Sequence, residues 1–116
     1  WIFVNDHIEV LIKILLEGEI GEIYNIGAEQ EISNIDLVKM ICEIFGNNFS
    51  NNFDYKSLIT FIDDRPGHDY RYSINFNKIK EKFNFQPKSN FKNDLFKTIE
   101  WYIKNSEWLL KRINES

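Results

Sequence analysis

The 116-residue sequence predicts an α/β fold of α+β-like character, with short strands and about four to five helices. Two patterns and one absence predict it. Apolar residues recur at helical spacing in several windows. Short β-branched and aromatic runs end at glycine or at polar loops. No glycine-rich βαβ unit and no internal repeat organises them. The length holds one modest domain, and ten Phe with three Trp supply material for a core.

Trp1-Ile2-Phe3-Val4 reads as a strand. Asn5 and Asp6 read as caps of a first helix, whose apolar face is Ile8, Leu11, Ile12 and Leu15 and whose stop is Gly18. Glu22 to Ile26 reads as a second strand, ended by Gly27. Ser33 with Asp36 resembles a capping box. The helix it opens carries Ile35, Val38, Ile41, Cys42 and Phe45 and closes at Gly46. Asn47 to Asn52 reads as a polar surface loop. Leu58 to Ile62 is the third expected strand, and Tyr70 to Ile74 follows in extended form. Asn75 reads as the cap of a short helix with Ile79 and Phe83, and Pro87 as a turn. Phe91, Leu95, Ile99 and Tyr102 or Ile103 make the stripe of a longer final helix, which Trp108 and Leu109 continue or underlie.

The formal charge is -4, which argues against nucleic acid, whose binding needs a basic face. No apolar stretch reaches the roughly 20 residues of a membrane span, and no secretory leader is visible. These features point to a cytoplasmic protein. Cys42 is the one cysteine, set among apolar residues, and reads as a small hydrophobe. Two His and one Cys, far apart, give no metal-ligand spacing. The chain opens on Trp1 within an expected strand, so it reads as part of a longer protein.

The residues most suited to chemistry are Asp64-Arg65-Pro66-Gly67-His68. Arg65 can clamp phosphate oxygens with two parallel donors. Pro66 fixes its own φ and drives Arg65 toward extended geometry. Gly67 lets the backbone turn or approach a ligand, and His68 is a donor whose charge is adjustable near neutral pH. Two readings stand level: a phosphate-binding loop, or a Pro-Gly turn whose Arg65 pairs with Asp63, Asp64 or Asp69. Asn34, at the start of the second helix, is either a ligand-binding amide near a helix N-terminus or a helix cap. Arg71 either pairs with Asp64 or Asp69 or meets a ligand. No glycine-rich dinucleotide fingerprint follows a strand, and no Tyr stands four residues before a Lys in a helical context. A complete catalytic site is absent from these residues.

Several segments together resemble the C-terminal part of the dTDP-glucose 4,6-dehydratases, which are extended short-chain dehydrogenases/reductases. They are Trp1 to His7, Gly21 to Gly27, Asn34-Ile35-Asp36, Leu58 to Phe61, Asp64 to Asp69, Arg71-Tyr72 and Thr98 to Tyr102. The resemblance covers essentially the whole chain, in the family's order, and Asp-Arg-Pro-Gly-His-Asp is its most specific run. It implies that residues 1–116 are a C-terminal nucleotide-sugar-binding portion, with the Rossmann NAD-binding domain, the Tyr/Lys pair and the acid-base pair elsewhere. It implies that Arg65, His68 and Asn34 contact the nucleotide diphosphate of a dTDP-sugar, with Asp64, Pro66 and Gly67 shaping the loop. The family oxidises the sugar at C4 by hydride transfer to NAD, removes water across C5 and C6, and returns the hydride to C6. The implied parent binds NAD and is a homodimer; this portion binds no cofactor and is inactive alone. Asp63, Ala28 and Asn84 depart from the family pattern, Asp63 by adding negative charge beside the loop. The alternatives are a UDP-sugar epimerase or decarboxylase of the same superfamily, or a non-catalytic remnant acting as a binding module.

Overall fold

A computed structural model describes residues 1–49, 53–88 and 90–115. Five α-helices form among them: α1 (Val4–Glu17), α2 (Asn34–Asn48), α3 (Asn77–Phe83), α4 (Phe91–Lys104) and α5 (Ser106–Asn114). A single 3-10 turn, Tyr55–Leu58, follows α2. The helix count matches expectation.

The expected strands do not form. Among the described residues none of the segments 1–4, 22–26, 58–62 and 70–74 is a strand, and no backbone hydrogen bond pairs one with another. A strand exists through its neighbour's ladder, and no such ladder forms among the described residues. Val4 joins α1 and Leu58 joins the 3-10 turn.

Asn5 and Asp6 are not caps. Phe3 occupies the N-cap of α1 in extended backbone, with no side-chain cap bond, and Asp6 is buried in the first turn. Gly18 does end the helix, at φ -70. Its need for glycine is steric, because a Cβ there would stand 2.4 Å from the Ile14 carbonyl oxygen. The face expected to be buried is exposed: Ile8, Leu11, Ile12 and Leu15 face solvent, Leu15 at 82%. The core takes Val10 and Ile14 instead. The helix is apolar over most of its circumference, so spacing alone does not say which stripe is covered.

The core joins Val10 of α1 to Phe76, Ile79, Phe83 and Phe85 around α3, with Tyr24 and Ile26 packed against it. Tyr24 meets Phe83 at 5.5 Å between ring centroids. Asn75 is not the cap of α3: Phe76 holds the N-cap with no side-chain cap bond, and Asn75, one residue earlier, accepts from the Asn77 backbone N–H at 2.9 Å. Asn84 ends α3 in the left-handed region (φ 47), a conformation that Asn tolerates well. The Asn90 side chain caps α4.

The Ser33 cap of α2 is as expected, with Oγ accepting from the Asp36 N–H at 3.2 Å and donating to the Asp36 carboxylate at 2.6 Å. Gly46 lies inside α2, which runs on to Asn48. Asn47 and Asn48 are therefore helical, and residues 50–52 of the expected loop lie outside the described residues. The deepest residues of α2 are Leu37 and Ile44, while Ile35, Ile41, Cys42 and Phe45 are half-buried. Phe45 packs on Tyr55 at 5.3 Å, and Cys42 donates to the Tyr55 carbonyl at 3.5 Å. Trp108 lies in a separate C-terminal helix, α5, and packs edge-on against Trp101 at 5.4 Å.

The radius of gyration is 17.5 Å, against about 13 Å for a compact domain of this length. An open arrangement of this kind agrees with the uncovered α1 stripe.

Candidate functional site

The residues from Asp64 to His68 build one turn. The His68 N–H donates to the Arg65 carbonyl at 3.1 Å, closing it. Gly67 takes φ +75 and Pro66 precedes it, the residue order of a type II turn, which needs positive φ at its third position. A side chain at Gly67 would meet no neighbour, so glycine serves the backbone conformation. Asp64 organises the turn from within. Its Oδ1 accepts from the Arg65 N–H at 2.8 Å and lies 2.9 Å from His68 Nδ1. That contact holds the imidazole beside the Asp64 carboxylate.

Arg65 is exposed. Among the described residues its guanidinium makes no ion pair with Asp63, Asp64 or Asp69, or with any other carboxylate. The Pro-Gly turn is real, and Asp64 spends its bonds on backbone and His68, leaving the Arg65 fork open.

Asn34 is the first residue of α2, but Ser33 does the capping. Its exposed amide makes no hydrogen bond among the described residues. Among the described residues no hydrogen bond or ion pair joins Asn34 to the turn. The two are linked indirectly, through Glu31. Arg71 donates to Glu31 Oε2, and Ser73 Oγ donates to Glu31 Oε1 at 2.8 Å. Arg71 thus pairs with neither Asp64 nor Asp69. Beyond Ser73 the chain returns to the body, where a Cβ on Gly27 would meet the Ile74 side chain at 3.4 Å. Glu31 was missed in the sequence because an acid in a polar stretch has no periodic or motif signal.

Hydrogen bonds from Ser73 and then Arg71 hold the Glu31 carboxyl below its usual range. Glu29 and Glu19 are lowered the same way by Lys80 and Lys82, as is Glu43 by Lys56. A carboxyl lowered in the folded state stabilises it above the unfolded value and stops doing so as pH falls through the lowered one. Stability should therefore be level through neutral pH and fall below about pH 4.5, the ordinary value of these groups. A series of urea midpoints from pH 7 to pH 3 checks this; a midpoint that rises with acid contradicts the pairing.

A cavity of about 920 Å³ lies elsewhere. Residues such as Trp1, Phe3, Phe91 and Trp101 line it, and none of Asn34, Asp64, Arg65, Pro66, Gly67 and His68 does. Among the described residues no cluster of His, Cys, Asp and Glu could hold a metal, and no helix is long and apolar enough to cross a membrane.

The chain is similar to dTDP-glucose 4,6-dehydratases. It is 39% identical to that of Shigella flexneri over 94% of this chain and 30% of the relative. It is 40% identical to that of Neisseria meningitidis over 100% and 34%. Among solved structures, dTDP-glucose 4,6-dehydratase from Bacillus anthracis in complex with NAD matches with a TM-score of 0.79 and 38% identity, over 93% of this chain and 32% of that one. The chain thus spans about a third of the length of the curated relatives it matches. The profile of the GDP-mannose 4,6 dehydratase family matches residues 1–98, and the chain belongs to that family.

Proposed function

We propose that this chain is the C-terminal nucleotide-sugar-binding portion of a dTDP-glucose 4,6-dehydratase, forming one wall of the cleft that holds the nucleotide diphosphate. The observation that carries the reading is the Arg65 fork, which makes no ion pair among the described residues, on a turn that Asp64 braces from inside. Similarity to dTDP-glucose 4,6-dehydratases over almost the whole chain supports it.

In this reading Arg65 holds phosphate oxygens through two charge-assisted bonds. His68 donates to a phosphate or ribose oxygen, and Asp64 sets its ring orientation. Pro66 and Gly67 fix the turn, and Asn34 adds an amide donor from the start of α2. The chemistry belongs to the larger portion of the parent. NAD, when bound there, accepts and returns the hydride that passes from C4 to C6 of the sugar. This chain has no dinucleotide fingerprint and does not itself make that site. The parent is a lyase and a homodimer whose Rossmann domain completes the cleft, and the 116 residues alone are inactive.

Calorimetric titration of the chain with dTDP, with UDP in parallel, tests the reading. Weak binding that favours dTDP is expected. Equal binding of both favours an enzyme acting on another nucleotide sugar, and binding of neither sinks the proposal. Formation of the 4-keto-6-deoxy sugar from dTDP-glucose and NAD by this chain alone would overturn the division of labour.

A further inference from the structure

We infer that Glu31 is a positioning residue, which sets the Arg65–His68 turn relative to Asn34; the inference rests on the nucleotide reading above. The turn is held to the body by little else. Among the described residues no hydrogen bond or ion pair links residues 61–70 to any residue outside that stretch. His68 adds a ring contact to Tyr72 at 6.4 Å, still within the same excursion of the chain. The first polar anchors after the turn are Arg71 and Ser73, and both go to Glu31.

The geometry suits a brace. Arg71 and Ser73 are two residues apart, so in an extended segment they project to the same side. Each takes one oxygen of the same carboxylate, while Tyr72 between them is exposed. The carboxylate is itself three residues before Asn34, and Ser33 anchors the intervening backbone as the α2 cap. Trp1 adds a second hold on this stretch, its indole N–H donating to the Ile32 carbonyl at 3.1 Å. One side chain therefore joins the segment leaving Arg65 and His68 to the segment entering Asn34. A ligand that spans both needs them in fixed register, because each freedom left in the free protein is lost on binding and subtracts from affinity. Glu31 also neutralises Arg71, keeping a second guanidinium from competing with Arg65 for the same phosphate.

The test compares wild type, Arg65→Ala, Glu31→Ala and the exchanged pair Glu31→Arg with Arg71→Glu. Readouts are dTDP affinity by calorimetry, the ligand-free melting temperature, and amide hydrogen exchange at residues 68–73. For Glu31→Ala we expect roughly tenfold weaker dTDP binding, faster exchange at 68–73, and an unchanged melting temperature, since an exposed ion pair adds little to global stability. The exchanged pair should recover part of the affinity, which a merely structural effect would not give. Wild-type affinity or exchange in Glu31→Ala overturns the inference, as does tighter binding, which would make Arg71 a phosphate ligand restrained by Glu31. If Arg65→Ala still loses binding in those cases, the nucleotide site stands without the brace. Absence of dTDP binding by wild type overturns the nucleotide reading itself.

Discussion

Arg65→Ala is expected to weaken dTDP binding by roughly ten- to a hundredfold, the effect of losing hydrogen bonds from a charged donor to a charged acceptor. The expectation comes from three properties of the turn. Among the described residues the guanidinium has no ion-pair partner to compensate its loss. The Arg65 backbone bonds, to Asp64 from its N–H and from His68 to its carbonyl, do not involve the side chain and survive the substitution. The side chain is exposed, so truncation leaves no cavity. Ligand-free stability should therefore match wild type while binding fails. The measurement is the melting shift caused by dTDP. A ligand at 100 times its Kd raises stability by about 2.7 kcal/mol, and the variant should show little of this at the same concentration. Arg65→Lys keeps the charge but not the fork and should fall between the two. An equal shift in wild type and Arg65→Ala would place the ligand elsewhere, the large cavity beside Trp101 being the natural place to look.

Ile79→Ala is expected to cost about 2–5 kcal/mol of folding stability. Ile79 is fully buried, at 0% exposure, where α1, α3 and the Phe76, Phe83 and Phe85 side chains meet. Its neighbours belong to different segments, so collapse around a vacancy would have to move several at once. A chain of this size has roughly 6–17 kcal/mol of total stability, and the loss removes a large share of it. Urea denaturation followed by Trp fluorescence and by circular dichroism measures the change. Ile79→Val, which removes one methylene, should cost only about 0.5–1.5 kcal/mol. Equal small losses in both variants would mean that the α1–α3 core is not the chain's centre of stability.

What was legible in the sequence was local. Ser33 and Asp36 are three residues apart and make their cap whatever the rest of the chain does. Pro66-Gly67 specifies its own turn. What was not legible depends on distant partners. The pairing of Glu31 with Arg71 spans 40 residues, and neither residue carries a mark of it. The runs at 22–26 and 58–62 have strand composition, but a ladder belongs to two segments, and the second is missing among the described residues. In α1 the periodic signal was strong and misleading. Apolar residues line more than one face, and Val10 and Ile14 took the core while Leu11 and Leu15 stayed in solvent.

The lysines of α3 have a consequence for work in different buffers. Lys78, Lys80 and Lys82 pair with Glu22, Glu29 and Glu19, fastening α3 to the stretch that leads to α2. All three pairs are exposed on at least one side. Mobile ions weaken such pairs as the Debye length shrinks from about 8 Å at physiological ionic strength to about 3 Å at 1 M. The attraction proposed between Arg65 and a diphosphate would weaken over the same range. Under the proposed function salt therefore acts on this chain twice, on the ligand contact and on the fastening of α3. The slope of affinity against ionic strength will be steeper than Arg65 alone would produce, and the excess measures the scaffold's share.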